Sequence, residues 1–161
     1  MFNKGDIVYH KQVIFGNKVL DQKEKRPCVV LFEVEHNGNK YVCTCPFTSQ
    51  IRTFNKRPNR YKLISEPVYS YKKISFAHIG STRLYLVNET YKTNHSLPID
   101  DVNEIIFKLL TLNTKKDILK EIKKYLEYDL LFEKIEQKEK RKLEKEKKRE
   151  KRRQAKIYQK K

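Results

Sequence analysis

Arg26-Pro27-Cys28-Val29-Val30-Leu31-Phe32-Glu33-Val34-Glu35, then His36-Asn37-Gly38-Asn39, then Lys40-Tyr41-Val42-Cys43-Thr44-Cys45-Pro46-Phe47-Thr48-Ser49-Gln50, is the stretch that decides the fold. Its first run is apolar and β-branched, its middle carries Asn37-Gly38, and Tyr41 to Cys45 alternates as a half-buried strand does. Asn-Gly tolerates the positive φ angles that a two-residue hairpin turn demands, so the reading is a β-hairpin. Antiparallel pairing about that turn brings Arg26, just before the first strand, to the same sheet edge as Thr48 and Ser49, just after the second. A guanidinium offers a fixed donor fork and hydroxyls donate to oxygen, which together suit a phosphate.

Outward from the hairpin, Gly5-Asp6-Ile7-Val8-Tyr9-His10 reads as a turn and a strand. Within the polar connection that follows, Val13-Ile14-Phe15, Gly16-Asn17 and Lys18-Val19-Leu20 read as a second, small hairpin. Beside a candidate site such an element is a lid or a specificity device; a decorated surface hairpin has the same sequence pattern. On the other side, residues 51–62 carry Arg52, Lys56, Arg57, Arg60 and Lys62 together with Phe54 and Tyr61 and no acid. Cations that follow a phosphate backbone and rings that stack on unpaired bases are the ingredients of single-stranded RNA binding. A solvated loop with strand-end aromatics is the plainer reading of the same residues. Tyr61 to Ser65, Val68 to Ile74 and Arg83 to Val87 supply further alternating strands, and many short strands at close spacing predict a small barrel.

The last third changes character. Asp100 or Asp101 is placed to cap a helix with Glu104, and Val102, Ile105, Ile106, Leu109 and Leu110 form its apolar stripe. Thr114 and Asp117 suggest a second cap, after which Ile118, Leu119, Ile122, Tyr125, Leu126, Leu130 and Phe132 continue the pattern. From Glu133 to Lys161 there are fifteen Lys/Arg against six Glu, more than half the net charge of +17 carried by all 161 residues. The expectation is a mainly β, α+β protein: a barrel domain with a packed helix over 1–112, and a long basic helical extension over 113–161. An excess of this size favours a polyanionic partner, of which nucleic acid is the simplest and the ribosome another.

Composition narrows the chemistry further. The three cysteines are an odd set, and Cys43 and Cys45 share one strand face, so they read as buried thiols of a reducing cytoplasm. His10, His36, His78 and His95 are scattered, which predicts no metal centre, and no cofactor is implied. No run approaches a membrane span and the first residues do not form a secretory leader, so a cytoplasmic protein is expected.

Gly5-Asp6-Ile7-Val8, Arg26-Pro27-Cys28-Val29-Val30-Leu31 and Pro46-Phe47-Thr48-Ser49-Gln50, in this order and spacing, resemble the MazF/PemK (Kid) family of toxin endoribonucleases from type II toxin–antitoxin systems. The likeness covers roughly residues 1–112. It implies an SH3-like, CcdB-like barrel with a terminal helix, a symmetric homodimer and a partner antitoxin. It also implies metal-independent cleavage of single-stranded RNA, often mRNA, that leaves a 2′,3′-cyclic phosphate. By the resemblance, Arg26 is the arginine that donates to the phosphoryl oxygens and Thr48 the threonine that hydrogen-bonds the scissile phosphate, with Ser49 an adjacent hydroxyl. Some members place an acidic base before the last strand, where this chain has Tyr71-Lys72-Lys73-Ile74-Ser75-Phe76-Ala77-His78 and no carboxylate. Lys73 is able to stabilise charge there and His78 to carry a proton. That departure keeps an alternative open: a non-catalytic RNA- or ribosome-binding barrel anchored by its basic tail. A strand-start arginine also pairs commonly with a neighbouring acid, here Glu24 or Glu33.

Overall fold

In the computed structural model, residues 1–20, 26–48, 60–62 and 76–158 are described. The central hairpin is β4 (Cys28–His36) and β5 (Asn39–Thr48). Asn37 and Gly38 both hold positive φ, 50° and 75°, and the register His36↔Asn39 closes the turn over these two residues. An extra residue, Leu31, sits in β4 between the pairs Val30↔Thr44 and Phe32↔Cys43. Such a bulge shifts the side-chain alternation and bends the strand. Consistent with this, Cys28 to Phe32 and Val42 to Thr48 are buried throughout, so both faces of the hairpin's base are covered.

The outer edge of β5 is divided between two partners. Tyr41 to Thr44 pair with β8 (Arg83–Leu86), whereas Phe47 and Thr48 pair with β7 (Phe76–His78). Pro46 falls at the changeover. Phe47 N–H donates to Pro27 O at 3.0 Å on the β4 side, so the nitrogen of Pro46 faces the other edge, in the interval that neither β8 nor β7 occupies. The full order is β6 (Arg60–Lys62), β7, β5, β4, β1 (Asp6–His10), β9 (Thr90–Ser96), all antiparallel, with β8 on β5. A separate hairpin joins β2 (Ile14–Phe15) to β3 (Lys18–Val19). Gly5, at φ 92°, lets β1 enter: a Cβ there would stand 3.0 Å from Leu97 O.

Helix α1 (Ile99–Thr111) buries Val102, Ile105, Ile106 and Leu109 and lies against β4 and the 3-10 turn Ile79–Ser81. Its N-cap is Pro98, with no side-chain cap bond, and not Asp100 or Asp101; Asp101 lies inside the first turn and is buried. The chain divides into two compact units, Met1–Leu126 and Glu127–Lys161. Helix α2 (Asp117–Tyr158) therefore begins within the first unit, where Leu119, Ile122 and Leu126 are fully buried and Tyr125 meets Phe32 at 6.4 Å. Just ahead of it, Thr114 Oγ1 accepts the Lys116 N–H at 3.1 Å. In the second unit residues 134–154 are exposed. Antiparallel sheet plus two helices is the α+β class that the sequence predicts.

Two strands, β7 and β9, have no counterpart in the sequence reading, and the strand expected over Val68–Ile74 lies outside the described residues. No helix among those described is long and apolar enough to cross a membrane.

Candidate active site

The β4–β5 register ends where the ladder runs out of donors. Cys28↔Pro46 is the last pair of the ladder; beyond it Phe47 N–H donates to Pro27 O at 3.0 Å, and Pro27, with no N–H, gives no bond back. Arg26 then turns its guanidinium onto this edge: Nη1 donates to Phe47 O at 3.0 Å. Thr48, the last residue of β5, is buried and stands across from Phe76 of β7. Glu33 accepts from the Phe2 N–H. Arg26 is thus bonded to the residue that precedes Thr48 at the end of β5.

The small β2–β3 hairpin reaches the same place. Phe15 lies 4.1 Å from the Arg26 guanidinium carbon, ring under cation, and its other neighbour is the His78 ring at 4.5 Å and 45°. Phe15 therefore touches a guanidinium and an imidazole, and the three residues come from three separate segments. The hairpin is held there by its backbone. Ile14 N–H donates to Tyr85 Oη at 3.1 Å, Gly16 N–H to Ser81 Oγ at 2.7 Å, and Leu20 N–H to Val13 O at 2.8 Å. Phe15 is the site residue that sequence reading missed. Its only signal was the hairpin pattern in a long connection, since no local rule states which distant cation a ring will cover.

His78 closes β7 and is buried, with Nδ1 shut off from solvent. Across the sheet it pairs with Arg60, and Phe76 pairs with Lys62, so the two described cations of the basic loop are tied by backbone to the strand that carries His78. Ser49, Lys73, Arg52, Phe54, Lys56 and Arg57 lie outside the described residues.

Burial sets the titration of the neighbouring groups. All three cysteines are free and buried, and burial raises the thiols of Cys28 and Cys43 far above their ordinary value and that of Cys45 to about 12. Such thiols stay protonated and are poor nucleophiles. His10, also buried, stacks on Tyr85 at 3.8 Å and 15°. Its Nδ1 lies 3.0 Å from Thr90 Oγ1 and its Nε2 2.7 Å from Thr44 Oγ1. Because Thr90 already gives its proton to Leu86 O at 2.9 Å, it accepts from Nδ1–H, and Thr44 donates to a bare Nε2. The ring is neutral, with its pKa held down to about 4 by burial.

A family model described as PemK-like, MazF-like toxin of type II toxin–antitoxin systems matches residues 3–110, which contain the whole of this arrangement. No curated protein and no solved structure matches the chain.

Proposed function

This chain belongs to the PemK-like, MazF-like toxins of type II toxin–antitoxin systems, a family of endoribonucleases, and we propose that it cleaves single-stranded RNA without a metal at the Arg26–Thr48 edge. The observation that supports the proposal is that Arg26 is fixed by the Phe15 ring and by Phe47 O, one residue along the chain from Thr48 at the end of β5.

The reaction uses the RNA's own 2′-hydroxyl as nucleophile. Its oxygen attacks the adjacent phosphorus, the bond to the 5′-oxygen breaks, and the products are a 2′,3′-cyclic phosphate and a 5′-hydroxyl. One proton leaves the 2′-oxygen and one arrives on the 5′-oxygen. Nucleophile and electrophile are already joined, so the protein's task is to orient the phosphate and to stabilise the charge that builds on its oxygens. Arg26 donates to the non-bridging oxygens and the Thr48 hydroxyl to the scissile phosphate, with Ser49 beside it. Lys73 adds positive charge, and His78, one ring away from Arg26, carries a proton. Arg52, Phe54, Lys56, Arg57, Arg60 and Lys62 track the substrate strand. The toxin works in the cytoplasm as a homodimer, and a partner antitoxin, an acidic peptide in its docking segment, suits so basic a surface.

Purified protein incubated with single-stranded RNA in EDTA is expected to give discrete fragments ending in cyclic phosphate. Arg26→Ala is expected to lower the rate by about 10²–10³, the usual consequence of losing one transition-state donor. Absence of cutting by the wild type, or equal cutting by Arg26→Ala, overturns the proposal.

A further inference from the structure

The second unit lies outside the residues that the family model matches, and its helix is not uniformly decorated. Lys134, Lys138, Arg141, Lys145, Lys148 and Arg152 follow one another at spacings of 4, 3, 4, 3 and 4, and all are exposed. At about 100° per residue they fall within an arc of about 80° and run for about 27 Å of helix. Glu136, Glu139, Glu146 and Glu150 fall within a second arc of about 80°, centred about 160° away. Other cations, Lys140, Lys142, Lys147, Arg149, Lys151 and Arg153, and the acid Glu144 lie around the rest of the helix, but every position within the first arc is Lys or Arg.

An acid-free, all-cationic arc is not what a solvated helix needs. Stability in water is served by Glu and Lys three or four apart, at a few tenths of a kcal/mol per pair, whereas like charges at that spacing destabilise by similar amounts. Lys134, Lys138, Lys145 and Arg152 have no acid at three or four positions on either side, and their neighbours on the face are other cations. The sequence therefore carries repulsion along one stripe that could be relieved by exchanging residues around the helix. A polyanion laid along the stripe relieves it instead.

We propose that this stripe is a second RNA-binding surface, one that holds the phosphate backbone without regard to sequence. RNA is preferred to other polyanions because the first unit belongs to a family that cleaves it, so the choice of ligand rests on the reading above; the stripe itself does not. Its action follows counterion release: each phosphate neutralised by a Lys or Arg frees a bound cation, and affinity falls steeply with salt.

The test uses the full chain and a fluorescent, fully 2′-O-methylated single-stranded RNA, which offers no 2′-hydroxyl and so reports binding alone. Neutralising the six stripe residues to Gln keeps good helix formers in place. Anisotropy titrations over a range of salt are expected to show at least tenfold weaker binding at about 0.15 M salt, with a log–log salt slope shallower by about 0.7 for each phosphate that the variant no longer neutralises. The companion variant, with Glu136, Glu139, Glu146 and Glu150 changed to Gln, is expected to bind as tightly as wild type or tighter, and circular dichroism checks that both remain helical. Unchanged affinity and slope in the stripe variant overturn the proposal. So does a stripe that captures phosphatidylserine vesicles or polyglutamate while leaving RNA binding untouched. Because no arm reads cleavage, an inactive catalytic edge leaves the outcome intact, and an active one cannot rescue it.

Discussion

His10 is the residue whose surroundings make the sharpest statement about stability. In the unfolded chain its pKa is 6.5 and in the folded one about 4, because burial disfavours the charged ring. Above the unfolded value both states hold a neutral ring and the full stability is present. As pH falls from 6.5 towards 4, the unfolded chain takes up a proton that the folded ring refuses, and stability is lost, by roughly 3 kcal/mol once the folded value is passed. Protonation also places a donor at Nε2 where Thr44 now donates. Acid weakens other groups too, so the measurement is a comparison: urea unfolding of wild type and His10→Gln at neutral pH and near pH 4. The wild type is expected to lose about 2–3 kcal/mol more than the variant. Equal losses would mean that the ring is not held neutral. Sequence showed only that four histidines were too scattered for a metal. What a buried ring does depends on Thr44, Tyr85 and Thr90, which arrive from other strands.

Among the elements, the β2–β3 hairpin is where a lid-like role can be told from decoration, because Phe15 lies on the cation proposed to hold the phosphate. A ring over a guanidinium contributes about 0.5–2 kcal/mol and restricts where the fork can point. Phe15→Ala is therefore expected to lower kcat on RNA by about threefold to thirtyfold, with Phe15→Leu in between, and to leave the unfolding midpoint nearly unchanged. A rise in kcat would show instead that the ring screens Arg26 from substrate. The central hairpin was legible because its signals are local: β-branched strands around Asn37-Gly38. The hairpin then brings Arg26 to the residue that precedes Thr48, which is as much of the site as pairing rules can yield. β9, by contrast, is Thr90-Tyr91-Lys92-Thr93-Asn94-His95-Ser96, an edge strand with Thr90 its only buried residue, so no apolar alternation announced it. β7 has three residues, too few for a period. Asp100 and Asp101 have the chemistry of a cap, but Pro98, whose φ is already fixed, starts α1 ahead of them.

At the scale of the whole molecule, charge divides folding from binding. With +17 on 161 residues, the folded chain brings like charges closer than the unfolded chain does, so self-repulsion opposes compaction. The helix of the second unit concentrates this effect, since its cations neighbour one another along the stripe. Added salt screens repulsion over a length that shrinks from about 30 Å at 0.01 M to about 8 Å at 0.15 M, shorter than the stripe itself. The same salt competes for every phosphate and weakens RNA binding. The two responses therefore have opposite signs. Raising sodium chloride from about 0.01 to about 0.3 M is expected to increase the melting temperature of the free protein by a few degrees, and over the same range to lower RNA affinity by orders of magnitude. Calorimetry on the free chain and anisotropy on the RNA complex read the two separately. A melting temperature that falls with salt would mean that attractive pairs such as Lys92–Asp6, at 2.7 Å, outweigh the repulsion in the folded state. The basic excess would then be compensated within the molecule, and the pull on polyanions would have to be far weaker than its formal charge implies.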